Sequence, residues 1–207
     1  VVRHSNVALD AARCPMVGLL KPDAGLIKIS GYDIAGDPVN AKKILAYIPE
    51  KGYIYDKLTA WEYLTFISGL YNLDENVFRK NAEEYLKIFG LYEWKDEITG
   101  NFSLGMKQRL VLTSSFMRNP EVLILDEPHN GLDPKGVRIL KDILFRLKNE
   151  GMTILLSTHI IAIAEQICSS IAIINKGSIA AHGTSEDIRH YAKSSDKTLE
   201  DILLLLT

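Results

Sequence analysis

Apolar positions along the chain follow two periods, and the changes between them mark out the elements. Val122-Leu123-Ile124-Leu125 is an unbroken apolar run of strand type that ends in Asp126-Glu127-Pro128, so a buried strand closed by a proline is predicted there. Ile44 to Ile48 and Thr153 to Ser157 read as further strands. Leu26-Ile27-Lys28-Ile29 with Gly31 reads as a strand and turn. Between them the period lengthens. Trp61, Leu64, Ile67 and Tyr71 recur at helical spacing, as do Phe78, Ala82, Tyr85, Leu86 and Phe89, and aromatics so spaced are expected in the core. Ser103 stands where a helix cap belongs, before Leu104, Leu110, Val111 and Met117. Asp133-Pro134 is a second cap with proline at the first helical position; Val137, Leu140, Leu144 and Leu147 carry that helix to a stop before Gly151. Ile171 to Ile174 and Ser178 to Ala181 predict a hairpin around Lys176-Gly177.

The order of the central strand has chemical content. A fully buried strand is rigid, and ligands of open α/β sheets bind at the carboxyl ends of strands. Two acids fixed there could divide the work of phosphoryl transfer, Asp126 holding Mg²⁺ through a water and Glu127 polarising an attacking water. The same residues could equally be a buried strand that ends in a solvated acidic turn.

Bulk properties narrow the field. The chain has 207 residues, 47% hydrophobic and 24% charged, which suits one α/β domain with a full core and excludes disorder. A net charge of −2 gives no sign of nucleic-acid binding. Cys14 and Cys168 have no metal or redox spacing. No apolar run reaches the roughly 18 residues of a membrane span, so membrane association is expected through a partner.

Four stretches in series carry a resemblance. They are Phe102-Ser103-Leu104-Gly105-Met106-Lys107-Gln108-Arg109, the strand ending in Asp126-Glu127, Asn130-Gly131-Leu132-Asp133-Pro134, and Leu155-Leu156-Ser157-Thr158-His159. In this order they resemble the signature motif, Walker B, D-loop and switch histidine of ABC transporter nucleotide-binding domains. The resemblance runs from about Met16 to the end, and Leu199 to Leu206 is similar to a family C-terminus. It implies a P-loop NTPase-like α/β core with a parallel sheet and an inserted helical subdomain over about residues 57–118, within a domain of residues 16–207. It also implies ATP and Mg²⁺ as cofactors. Glu127 and His159 become the catalytic candidates, and Asp126 and Glu50 the metal ligands. Ser103, Gly105, Asp133 and Glu50 become nucleotide contacts. The partners implied are a second nucleotide-binding domain, as a homo- or heterodimer, and a transmembrane permease, with the chain peripheral to the cytoplasmic face of the membrane. His4, His129, His182 and His190 lack such context and are expected at the surface.

Three departures qualify the match. Leu104 and Met106 replace a glycine and a glutamine of the usual signature, a variant similar to bacterial exporters of the antibiotic- and bacteriocin-resistance type. Glu50 stands where the family usually has a glutamine. Residues 1–15 carry no glycine and no lysine, although a phosphate loop needs glycines to turn its N–H groups inward and a lysine to neutralise charge. The N-terminal part therefore reads as truncated or altered. Val1-Val2 and Val7-Ala8-Leu9 are the candidates to replace its missing strand.

Overall fold

Strand β5 (Val122–Asp126) sits between β4 (Leu45–Ile48) and β6 (Thr153–Ser157) in a three-stranded sheet. Pairing with β4 is parallel, with Leu45 opposite Val122 and Ile48 opposite Leu125. Leu123, Ile124, Leu125 and Asp126 are all buried, as a strand covered on both faces requires. The structure, a computed structural model, describes residues 2–3, 14–175 and 177–191. It comprises two compact units, Lys43–Ile154 and the pair of segments Val1–Lys42 with Leu155–Thr207.

Within the unit Lys43–Ile154, helices α2 (Ala60–Leu70), α3 (Glu75–Ile88), α4 (Leu104–Phe116) and α5 (Pro134–Asn149) supply the rest of the core. Thr59 opens α2 with a reciprocal cap: its hydroxyl accepts the Glu62 N–H, and the Glu62 carboxylate accepts the Thr59 N–H. Asp74 opens α3 by accepting from Asn76 and Val77. From Gln108 to Phe116 every position of α4 except Arg109 is buried, so this helix is central to the unit. Phe116 lies 5.5 Å from Tyr85 and 6.2 Å from Phe89, centroid to centroid. Leu140, Ile143, Leu144 and Leu147 of α5 are buried at helical spacing while Phe145 faces solvent. Trp61 is half-buried rather than core: it packs 5.3 Å from Phe78, with Arg79 and Lys95 over its ring.

In the other unit, β2 (Lys28–Ile29) and β3 (Tyr32–Asp33) form a hairpin. Its two turn residues, Ser30 and Gly31, have φ of 44° and 91°, the left-handed pair that a two-residue hairpin requires. Residues 14–16 are helical and end on Gly18 at φ 69°, where the Leu19 N–H returns to the Cys14 carbonyl. Val2–Arg3 form a short strand, β1, parallel to β7 (Ile171–Asn175), and β7 pairs antiparallel with β8 (Ser178–Gly183). Ile161, Ala164, Ile171, Ile173, Ala181 and Ile188 make the core of this unit. Three helices were not anticipated from sequence: α1 (Pro38–Ile44), α6 (Ile161–Ile167) and α7 (Ser185–Tyr191). Each is about two turns long and so carries too few periodic positions to register. The aberrant segment 1–15, Val7–Leu9 included, lies outside the described residues except for residues 2–3 and 14–15. Lys176 and the tail Leu199–Leu206 also lie outside them.

Candidate functional site

The carboxyl end of β5 turns sharply. Asp126 and Glu127 are 3% and 2% exposed, so the pair is not a solvated acidic turn. Glu127 has φ 45°, a left-handed conformation that costs a non-glycine residue about 1–3 kcal/mol and survives only where neighbours fix it. Hydrogen bonds within the turn supply part of that constraint. The Asn130 N–H donates to the Glu127 carbonyl at 3.0 Å, and the Leu132 N–H to the His129 carbonyl at 3.1 Å. Proline at 128 cannot donate, which leaves its carbonyl as the group to be satisfied.

That carbonyl is met by helix α4. Gln108, 6% exposed, donates from Nε2 to the Pro128 carbonyl at 3.1 Å. One residue on, Arg109 pairs with the Asp133 carboxylate. One turn earlier, Gly105 lies so close to Gly131 that a Cβ there would stand 2.8 Å from the Gly131 carbonyl oxygen. The helix is opened by Ser103, whose hydroxyl accepts the Met106 N–H at 3.2 Å. A helix N-terminus so capped presents free N–H groups and partial positive charge, which suit phosphate.

Asp133 caps α5 by accepting the Gly136 N–H at 3.0 Å. That bond first, and then the bond from Arg109, hold its carboxyl below the ordinary value of 3.8. Glu50 is reached by the Asn130 side-chain amide at 3.4 Å. A cavity of about 340 Å³ opens between these parts, lined by Glu50, Lys107, Gln108, Asn130 and Gly131 among others. Ser103, Gly105, Asp126, Glu127, Asp133 and Glu50 thus all belong to the unit Lys43–Ile154 and lie on three segments, the start of α4, the turn after β5 and the loop after β4. His159 belongs to the other unit. It follows β6 at an exposed position, after Thr158, whose hydroxyl accepts the Ile160 N–H at 3.0 Å.

One expectation is corrected. His129, taken from sequence as a surface residue, is 8% exposed, and its Nε2 lies 3.4 Å from the Glu127 carboxylate. The missed signal is its place, two residues after the second acid in the turn that follows β5. Gln108 was quoted only as part of a motif, and its bond to Pro128 had no sequence signature.

Oxygen ligands suit Mg²⁺. Asp126, a buried carboxylate at a strand end, and Glu50, a carboxylate with one amide partner, are chemically fit to hold it. Residues 1–15 supply neither the glycines nor the lysine that cradle phosphate in a phosphate loop.

Comparison with known proteins shows the family and the fold. Residues 15–130 match the ABC transporter family. The chain is 34% identical over 192 residues to the ABC-type transporter ATP-binding protein EcsA of Bacillus subtilis (strain 168), covering 93% of this chain and 78% of that one. It is 34% identical over 171 residues to the linearmycin resistance ATP-binding protein LnrL of the same organism, covering 83% and 55%. A solved structure of the ATP-binding subunit of an ABC transporter matches with a TM-score of 0.94 at 33% identity, covering 99% of this chain and 85% of that one. The α/β fold with its parallel sheet, the buried acids ending β5 and these matches together make the chain a member of the ABC transporter family, of the ATP-binding type.

Proposed function

We propose that the chain hydrolyses Mg-ATP to drive an exporter whose membrane channel is a separate permease. The observation that carries this reading is the end of β5, where Asp126 and Glu127 are both buried and Glu127 is held in a left-handed conformation that costs free energy to keep. Strained non-glycine residues concentrate where geometry serves chemistry. In this reading Asp126 and Glu50 hold Mg²⁺, which supplies neutralising charge to phosphate oxygens. A carboxylate oxygen of Glu127 orients the attacking water and takes its proton; His159, by its resemblance to the family's switch histidine, is the candidate γ-phosphate contact. Ser103, Gly105 and Asp133 contact the nucleotide of a second domain paired head-to-tail, either another copy or a homologue. The helical block of about residues 57–118 docks the permease. The name of the linearmycin resistance relative supports an exporter.

Hydrolysis measured for the wild type and Glu127→Gln, each in a version with a phosphate loop restored at the N-terminus, tests it. Loss of a general base lowers turnover by about 10²–10⁴-fold, while nucleotide binding is expected to persist. Near-wild-type turnover in Glu127→Gln would remove Glu127 from the role. A second reading is favoured by the stretch Arg3–Asp10, which has no glycine or lysine. There the chain is a non-hydrolysing partner that lends its Ser103 face to a competent domain, and the wild type alone is inactive.

A further inference from the structure

We propose that Gln108 is a positioning residue for Glu127, fixing the turn after β5 from the signature-type helix α4; its catalytic consequence rests on the role proposed for Glu127 above. The argument starts from cost. Glu127 sits at φ 45°, and a left-handed glutamate relaxes toward ordinary backbone unless the turn around it is held. Within the turn, two backbone bonds close the chain on itself, Asn130 N–H to Glu127 and Leu132 N–H to His129. Neither ties the turn to the rest of its unit. Gln108 does, through a buried side-chain amide that donates to the Pro128 carbonyl, the residue next to Glu127.

The flanking contacts described within this unit differ in kind from that bond, and the Asn130 side-chain amide reaches Glu50 only at a long 3.4 Å. Arg109–Asp133 is on the exposed side, with the carboxylate half open to solvent, so water competes with it and screening weakens it. Gly105 against Gly131 is a close approach without a hydrogen bond. The Gln108 bond is excluded from water, and losing it leaves a buried carbonyl without its donor, the expensive way to break a hydrogen bond. It also lies on the Glu127 side of the turn, while Arg109 and Gly105 grip the far side. Because α4 begins at Ser103, Gln108 links the helix end proposed to touch one nucleotide to the carboxylate proposed to act on another.

The test uses the full chain with three probes. Gln108→Met keeps length and shape but removes the donor, and Gln108→Lys restores a donor. In Gln108→Met, amide exchange at Asn130 and Leu132 should rise by about tenfold, the worth of one buried hydrogen bond, with α3 and α5 unchanged. The His129 ring signals in NMR should move, since its Nε2 faces Glu127, while those of His182, which contacts Ser170, stay in place. Gln108→Lys should return both readouts toward wild type. Exchange that rises evenly across the unit, or no change at Asn130 and Leu132, overturns the proposal.

Should Gln108→Met not fold, the wild type decides: the Gln108 Nε2 protons should exchange slowly with solvent, and fast exchange overturns the proposal. In the assembled transporter, kcat should fall about tenfold with KM within about twofold for Gln108→Met, and recover in Gln108→Lys. A loosened turn with unchanged kcat refutes the positioning claim. A wild type with no hydrolysis refutes the ATPase reading and leaves the exchange result to stand alone.

Discussion

The same substitution at two glycines should move stability in opposite directions. Gly69 lies in the last turn of α2, with nothing within 4 Å of where a Cβ would project. Alanine there gains helix propensity and reduces the freedom of the unfolded chain, worth about 0.5–1 kcal/mol. Gly105 lies in the first turn of α4 and would gain similarly, but its methyl would stand 2.8 Å from the Gly131 carbonyl oxygen. That oxygen is backbone, in a residue at φ 80°, and cannot swing away as a side-chain end would. Relief means moving the turn that Gln108, Arg109 and the Asn130 and Leu132 amides hold. Overpacking of this kind costs about 1–3 kcal/mol, which exceeds the gain and leaves a net loss of about 1 kcal/mol. The two variants should therefore differ by about 2 kcal/mol. For a chain of this size that is about 4–8 °C in melting temperature, with the wild type between them. Thermal and urea unfolding of the three proteins side by side measures it. If Gly105→Ala melts at or above Gly69→Ala, the close approach of α4 to the turn is not a constraint and the argument fails.

Further outcomes are expected. Thr59→Ala removes one half of a reciprocal cap and should cost about 1 kcal/mol, with faster amide exchange confined to the first turn of α2; unchanged exchange there would refute the cap's contribution. Asp133 has its folded value depressed by the Gly136 N–H and Arg109, so its contribution is present above about pH 4 and lost as pH falls through the lower folded value. Asp133→Asn should therefore show a shallower loss of stability on acidification below pH 4, and an identical slope would contradict this. The polypeptide Val1–Thr207 alone should bind Mg-ATP weakly, because a phosphate loop supplies several charge-assisted hydrogen bonds of about 1.5–3 kcal/mol each and residues 1–15 contain neither its glycines nor its lysine. Calorimetry giving a micromolar Kd at one site per chain would overturn this.

Elements were legible where one period ran long enough to be distinctive. Helices α3, α4 and α5 span 14, 13 and 16 residues and carry both repeated apolar positions and a capping residue, so pattern and cap agree. The strands read correctly for a different reason: β5 is covered on both faces, and only an unbroken apolar run satisfies that. Short helices such as α6, at seven residues, offer two apolar turns at most and no side-chain cap, so nothing separates them from a buried loop. Trp61 shows the limit on single residues. Its spacing marks a helix face, but the cations over its ring come from Arg79 and Lys95, and Lys95 lies beyond the helices that the spacing defines.

The site divides along the same line. Asp126, Glu127, Ser103 and Asp133 were legible because each sits at the end of an element, and element ends are fixed by local chemistry: a proline after the strand, a side-chain oxygen before the helix. His129 and Gln108 were not, because their meaning lies in the third dimension. A histidine three residues past a strand is at the surface in most turns, and here it is buried in a turn that begins with the left-handed step at Glu127. That step cannot be read from glutamate, which disfavours it. It exists because Pro128 presents a carbonyl and no N–H, and because Gln108, twenty residues upstream, is positioned by its helix to donate to that carbonyl. The conformation of the acid is thus set from a helix whose sequence reads as a cap, a signature-type motif and packing, none of which points to Glu127. A search for residues that control a strand-end carboxylate in such a chain should begin with the buried donors on the helix facing the turn, not with the neighbours of the acid in sequence.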